Sequence, residues 1–230
     1  MSSNVVGYSK LTMNKGSYTL ISNPFTEVGT GENIAINDMF AEDGTAGNAG
    51  SSVTTADTIE VWDGSGYVSY YLRNATPHHW RKVGERAATT DEIPEGAAAF
   101  YHNYSNDDDV TLTVSGEVKA ESETLTIVGS GYTLVKNPFP VELDFDNFVV
   151  EGATAGTSVT SADTIEVWDG SGYVSYYLRS GTPNHWRKVG ERNKTTDTIA
   201  PYTGFFYHAL GENDFTVTVQ SPLADSSSGN

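Results

Sequence analysis

An internal repeat constrains this chain more than any other feature. The segment ADTIEVWDGSGYVSYYLR at residues 56–73 recurs without change at 162–179, and HWRKVGER at 79–86 recurs at 185–192. The correspondence extends outward: YTLISNPF at 18–25 pairs with YTLVKNPF at 132–139, Phe100-Tyr101-His102 with Phe206-Tyr207-His208, and 110–114 with 215–219. A match of this extent covers a whole domain. The 230 residues are therefore read as a tandem duplication, with domains at 1–118 and 119–230. The change in spacing puts the extra residues of the first copy into 26–51, a loop rich in Gly, Ala, Asn and Thr. The junction SGEVKAESE at 115–123 holds no Pro and one Gly, unlike a flexible spacer, and predicts a rigid join.

Short segments rich in Val, Ile, Thr, Tyr and Trp, bounded by Gly, Asn, Asp and Pro, predict strands throughout. The clearest unit is a hairpin of 58–62 and 67–73 around Asp63-Gly64-Ser65-Gly66, where glycine supplies the backbone freedom of a tight turn. A third strand near 80–83 continues the meander. Period-two alternation puts Ile59, Val61, Val68, Tyr70 and Leu72 on a core face, and Glu60, Trp62, Tyr67, Tyr71 and Arg73 on the other. Asn23-Pro24-Phe25 and Asn137-Pro138-Phe139 end strands, because Pro cannot donate within a ladder, and 37–40 has the length of one helical turn. The fold class that follows is all-β: two tandem homologous β-sandwich or small-barrel domains, rigidly joined.

Charge and composition narrow the functions. Thirteen Lys and Arg against thirty Asp and Glu leave a formal charge of −17. Phosphate backbones and anionic lipid surfaces are bound by neutralising their charge, so nucleic acid is not expected as a partner. The lack of cysteine removes disulfides, thiolate metal sites and cysteine nucleophiles. No apolar run reaches the roughly 18 residues of a membrane span, and no insertion is expected. The first residues show no basic patch followed by an apolar stretch, so a signal peptide is not part of this chain.

The run NVVGY at 4–8, GYTLV-x-NPF at 131–139, VWDGSGY and Gly204-Phe205-Phe206 resemble secreted bacterial surface proteins built from tandem β-domains. The resemblance covers both copies and rests on turn and core signatures. It implies export, a structural or adhesive role and no catalytic residue, with Met1 a start on a mature form. The first copy departs from it at GAAAF, 96–100, where alanines replace an aromatic.

Among the constellations that carry chemistry, the repeated aromatics come first. Trp62, Tyr67, Tyr71 and Trp80, with Trp168, Tyr173, Tyr177 and Trp186 in the second copy, are candidate platforms for sugar rings, with Glu60, Asp63, Arg73 and Arg81 as polar neighbours. Aromatic burial favours instead a second packing layer of the same rings under the 26–51 loop, since exposed apolar patches are uncommon unless functional. Asp57, Glu60 and Asp63, repeated as Asp163, Glu166 and Asp169, invite a glycosidase. However, residues three apart on a strand face opposite ways, so Asp57 and Glu60 cannot face each other across a cleft. Calcium is a weak alternative at 106–109 and 142–146, which are oxygen-rich but lack EF-hand spacing, and no other metal or cofactor is expected. His78, His79, His102, His185 and His208 form no metal motif and read as half-buried strand residues. Three Asn-x-Ser/Thr sequences, at Asn74, Asn103 and Asn193, match a glycosylation pattern.

The sequence therefore predicts an extracellular, non-enzymatic structural protein whose partners are copies of itself. A contact between consecutive domains, repeated between chains, would propagate into a filament or surface layer. Residues 5–13 could complete a neighbour's sheet by strand exchange, with Val5, Val6, Tyr8 and Leu11 as assembly contacts, so that removing 1–13 would leave soluble monomers. Salt or divalent cations should favour assembly by screening the charge. The alternative is a tandem carbohydrate-binding adhesion module, in which duplication raises avidity for glycans.

Overall fold

The computed structural model describes residues 5–23, 25–40, 47–63, 66–94, 96–105, 107–169 and 171–223. Asn4, the turn residues Gly64 and Ser65, Asn106 of the oxygen-rich run and the polar tail 224–230 lie outside them, as does 41–46 of the first-copy loop. The chain divides into two compact units, Met1–Val118 and Lys119–Asn230.

The first unit holds β1 (Val6–Met13), β2 (Tyr18–Ile21), β3 (Phe25–Thr26), β4 (Thr58–Trp62), β5 (Tyr67–Arg73), β6 (His79–Lys82), β7 (Ala99–His102) and β8 (Val110–Val118), with one helical turn, α1 (Ile36–Met39). They form a five-stranded sheet in the order β2-β7-β4-β5-β6 and a three-stranded sheet in the order β1-β8-β3, every pairing antiparallel. The second unit holds β9 (Glu123–Ile127), β10 (Tyr132–Lys136), β11 (Leu143–Asp144), β12 (Phe148–Val149), β13 (Thr164–Trp168), β14 (Tyr173–Arg179), β15 (His185–Lys188), β16 (Thr198–Ile199), β17 (Gly204–His208) and β18 (Phe215–Val219). Its five-stranded sheet runs β10-β17-β13-β14-β15, its three-stranded sheet β12-β18-β9, and β11 pairs with β16. The sheets are open, so the small-barrel option falls away in favour of a sandwich-like arrangement. In the second unit one core cluster draws Ile165, Leu178, Trp186 and Phe205 from the larger sheet and Leu125, Ile127, Val217 and Val219 from the smaller one.

The hairpin has the bounds that alternation predicts, with Ile59, Tyr70 and Leu72 buried on its inner face. Its third strand starts one residue earlier than expected, at His79. Among the alanines of the first copy Ala99 lies fully buried, and directly after α1 Phe40 packs against Trp80 and Tyr101 at centroid distances of 5.9 and 6.2 Å. In the second unit Phe205 occupies its own strand and meets Phe148 edge-on at 5.7 Å. Part of the 26–51 loop is thus core, fastened by Asn37, whose side chain accepts from the Trp80 N–H at 2.7 Å and donates to the Thr89 carbonyl.

Asn137 shows why the Asn-Pro-Phe sequence closes a strand. Its amide oxygen accepts from the Phe139 N–H at 2.9 Å, while its nitrogen donates to the carbonyls of Val141 and Ile199. A fully buried side chain thereby satisfies backbone groups that the end of β10 leaves unpaired.

Candidate functional site

Strand order decides which side chains share the outer face of each larger sheet. In the second unit β17 lies between β10 and β13, with Leu134 opposite Phe206, Phe206 opposite Glu166, and Glu166 opposite Ser175. Tyr132, opposite His208, opens the same face on β10, and Tyr173, opposite Trp168, closes it on β14. Four of these residues, Tyr132, Glu166, Tyr173 and Phe206, line an open cleft of about 420 Å³. This lies within the usual size range of small-ligand sites.

The rings form a three-sided box. Phe206 meets Tyr132 at 6.3 Å and 86° and Tyr173 at 5.9 Å and 68°, so two tyrosines stand nearly upright on either side of it. Tyr132 is braced from behind by His208, stacked at 4.2 Å, and Tyr173 by Trp168, edge-on at 5.1 Å. Despite these contacts Tyr132 is 61% exposed and Tyr173 48%, which is unusual for rings that burial would stabilise. Glu166 brings the carboxylate. The Ser175 hydroxyl donates to one of its oxygens, and among the described residues no cationic side chain pairs with it.

The first unit repeats the arrangement on its own outer face. Tyr18 and Tyr67 flank Phe100 at 6.4 Å and 5.9 Å, His102 stacks on Tyr18 at 4.3 Å, and Trp62 meets Tyr67 at 5.1 Å. Ser69 donates to Glu60. Burial first, and the Glu60 charge second, raise the Tyr67 hydroxyl above its ordinary pKa.

Of the eight aromatic residues singled out from sequence, four belong here: Trp62, Tyr67, Trp168 and Tyr173. The other four are corrected. Trp80 and Trp186 lie opposite Leu72 and Leu178, hence on the inner face, and are only 2% and 3% exposed. Tyr71 and Tyr177 do face outward, but the guanidinium of Arg81 or Arg187 lies over each ring at 5.0 Å and covers it. Tyr18, Tyr132, Phe100, Phe206 and the stacked His102 and His208 complete the site and were not singled out as binding residues. Their recurrence in both copies was the available signal.

The other candidates resolve into structural parts. Asp57 and Asp163 are fully buried. Asp163 accepts from the Tyr207 hydroxyl at 3.1 Å and from the backbone N–H groups of Leu210 and Thr154 at 2.9 and 3.1 Å, which fixes the loops at that end of the sheet. Asp169 accepts from the Ser171 and Gly172 N–H groups of its turn, which hold its carboxyl below the ordinary range. Asn103 is buried with its amide bonded to Met13 and Asp108 carbonyls, so it offers no acceptor for a glycan. Among the described residues no group of three or more His, Asp or Glu could hold a metal ion. Among the described residues no helix is long and apolar enough to cross a membrane.

The assembly residues divide. β1 pairs along its whole length with β8 of its own unit, from Val6 opposite Glu117 to Met13 opposite Val110. Val5, Val6 and Tyr8 are exposed, whereas Leu11 is buried in the core of that unit and is not available to a neighbour in this arrangement.

No protein-family model, curated protein or solved structure matches the chain.

Proposed function

We propose that the chain is an extracellular, non-enzymatic adhesion module made of two homologous, rigidly joined sandwich units, each binding a glycan on the outer face of its larger sheet. The observation that carries this reading is the three-ring box around a carboxylate, held by strand order and braced from behind, that recurs in the two units. A ring as exposed as Tyr132, at 61%, can meet the apolar face of a sugar, and the carboxylate can accept from sugar hydroxyls. The resemblance to secreted bacterial surface proteins supports the location. Screening on a glycan array, with Tyr67→Ala/Tyr173→Ala as the control chain, tests it: binding should disappear in the variant at an unchanged melting temperature. Retention of binding by the variant, or a blank array for the wild type, would reject it.

A second reading, self-assembly into a filament or layer, draws on one observation. The outer edge of β1 is unpaired among the described residues, with Val6 and Tyr8 exposed beside it. Negative-stain electron microscopy across a salt and calcium series tests this directly, and dispersed particles throughout would reject it.

A further inference from the structure

We infer that the cleft of the second unit and the matching face of the first select sugars carrying a protonated amine, with Glu166 and Glu60 as the residues that read the charge. The inference rests on the glycan reading and specifies its ligand class. The cleft of the second unit holds three rings and one carboxylate, and none of the four residues lining it is cationic. A neutral pyranose presents donors and acceptors in equal measure, so a site built for it needs donors as well as acceptors. The hydroxyls of Tyr132 and Tyr173 can donate to a neutral sugar, but the Glu166 carboxylate, which already takes the Ser175 hydroxyl, only accepts and is the one charged group in the lining. An ammonium group is the complementary partner, since it offers three donors and no acceptor. The aromatic lining adds to this, because the face of an aromatic ring attracts a cation. Glu166 also lacks the internal cation that would be expected if its charge served the fold, and the same holds for Glu60 among the described residues. Finally, the chain's charge of −17 draws cationic ligands toward either face.

A lysine side chain of a protein partner carries the same charge, but a cleft of about 420 Å³ with two upright walls is wider than a single ammonium needs. The width favours a ring that bears the amine.

The test is titration calorimetry of the full chain with four probes: glucosamine, N-acetylglucosamine, glucose and Nα-acetyl-lysine amide. All are small, so none gains from polycationic attraction to the acidic surface. Glucosamine should bind about tenfold more tightly than the two neutral sugars. That advantage should vanish in Glu60→Gln/Glu166→Gln, which keeps the contact with Ser69 and Ser175 while changing the net charge of −17 by only two. Tyr132→Ala should weaken all three sugars. Equal binding of charged and neutral sugars would overturn the inference and leave the glycan reading standing. Nα-acetyl-lysine amide binding as tightly as glucosamine would overturn the sugar component, and absence of binding by every probe would overturn both. An amine preference that persists in the double Gln variant would move charge recognition away from these two residues.

Discussion

The hydroxyl of Tyr101 donates to a carboxylate oxygen of Asp57 across 2.7 Å, with both side chains closed off from solvent. The carboxylate also accepts from the N–H groups of Tyr104 at 2.7 Å and Asn48 at 2.9 Å, so one buried charge organises the strand and the two loops beside it. Burial first, and the facing carboxylate second, push the tyrosine hydroxyl well above its ordinary pKa, which keeps it a donor at any physiological pH. Tyr101→Phe should lower the stability of the first unit by about 1–3 kcal/mol, the cost of leaving one buried acceptor position unfilled. Asp57→Ala should cost more, because it strands the Tyr101 hydroxyl, the Tyr104 and Asn48 N–H groups and one bond of the Asn48 side-chain amide. Urea unfolding followed by tryptophan fluorescence measures both.

Acid should weaken the two units through Asp91 and Asp197. The Tyr70 hydroxyl and the Lys82 ammonium hold the Asp91 carboxyl below the ordinary range, while at Asp197 the Lys188 ammonium leads and the Tyr176 hydroxyl follows. Each carboxyl is more acidic folded than unfolded, so the unfolded chain binds more protons as the pH drops. The contribution is complete above the ordinary aspartate pKa and is lost as the pH falls through the lower, folded value. Asp91→Asn/Asp197→Asn should flatten the acid limb of a plot of melting temperature against pH and leave its neutral plateau lower. An unchanged acid limb would show that other carboxylates carry the effect.

Close approach of backbone should make Gly156 intolerant of any side chain. Its N–H donates to the Leu178 carbonyl at 3.0 Å, and a Cβ at this position would sit 2.1 Å from the carbonyl oxygen of Ser161, an atom fixed in its own turn. The serine side chain of that turn donates back to the Ser158 carbonyl, so the segment has little room to yield. Gly156→Ala should destabilise the second unit by about 1–3 kcal/mol, with Thr157→Ala as a milder control, by thermal unfolding.

How much of this was legible in the sequence depends on the range of the interaction. The hairpin bounds follow from alternation around a glycine turn, a purely local pattern, and so does the outward aim of Tyr67 and Tyr173. Tyr71 also obeys the alternation, yet it is buried because Arg81 reaches across from the next strand, and periodicity along one strand is blind to that. Trp80 takes its packing reading rather than its platform reading for a related reason: its face is set by the register that puts it opposite Leu72. The walls of the cleft were the hardest to foresee. Tyr132 and Glu166 share a face only because β17, late in the chain, inserts between β10 and β13, and no local pattern reports such an insertion. The packing of Phe40 against Trp80 and Tyr101 is of the same kind, a contact between residues distant in the chain.

The two kinds of tryptophan should separate in a single experiment. Trp186→Ala empties a core position among Phe145, Tyr176 and Tyr207, and should destabilise the second unit by about 3–5 kcal/mol. Trp168→Ala removes only the brace behind Tyr173, so the melting temperature should change little while ligand affinity falls. A large loss of stability on replacing Trp168 would assign it to packing and count against the cleft.

Removal of residues 1–13 was the first test that the sequence suggested for strand exchange, and the structure changes what it would measure. β1 supplies Leu11 and Met13 to the core of the first unit, and its departure would expose the ladder of β8 along eight residues. The truncated chain should therefore lose the cooperative unfolding of the first unit while the second unit unfolds as before, and any aggregation would reflect a bared edge. A cleaner variant keeps the strand and changes only its outward face. Val6→Lys/Tyr8→Lys places two cations on exposed positions of an edge strand, where charge opposes the approach of another strand at little cost to the fold. If chains join through this edge, the wild type should show assemblies by light scattering at high salt and the double lysine variant should not, with both melting at the same temperature. Assemblies of equal size from the two proteins would remove β1 from the contact and leave assembly without its structural support.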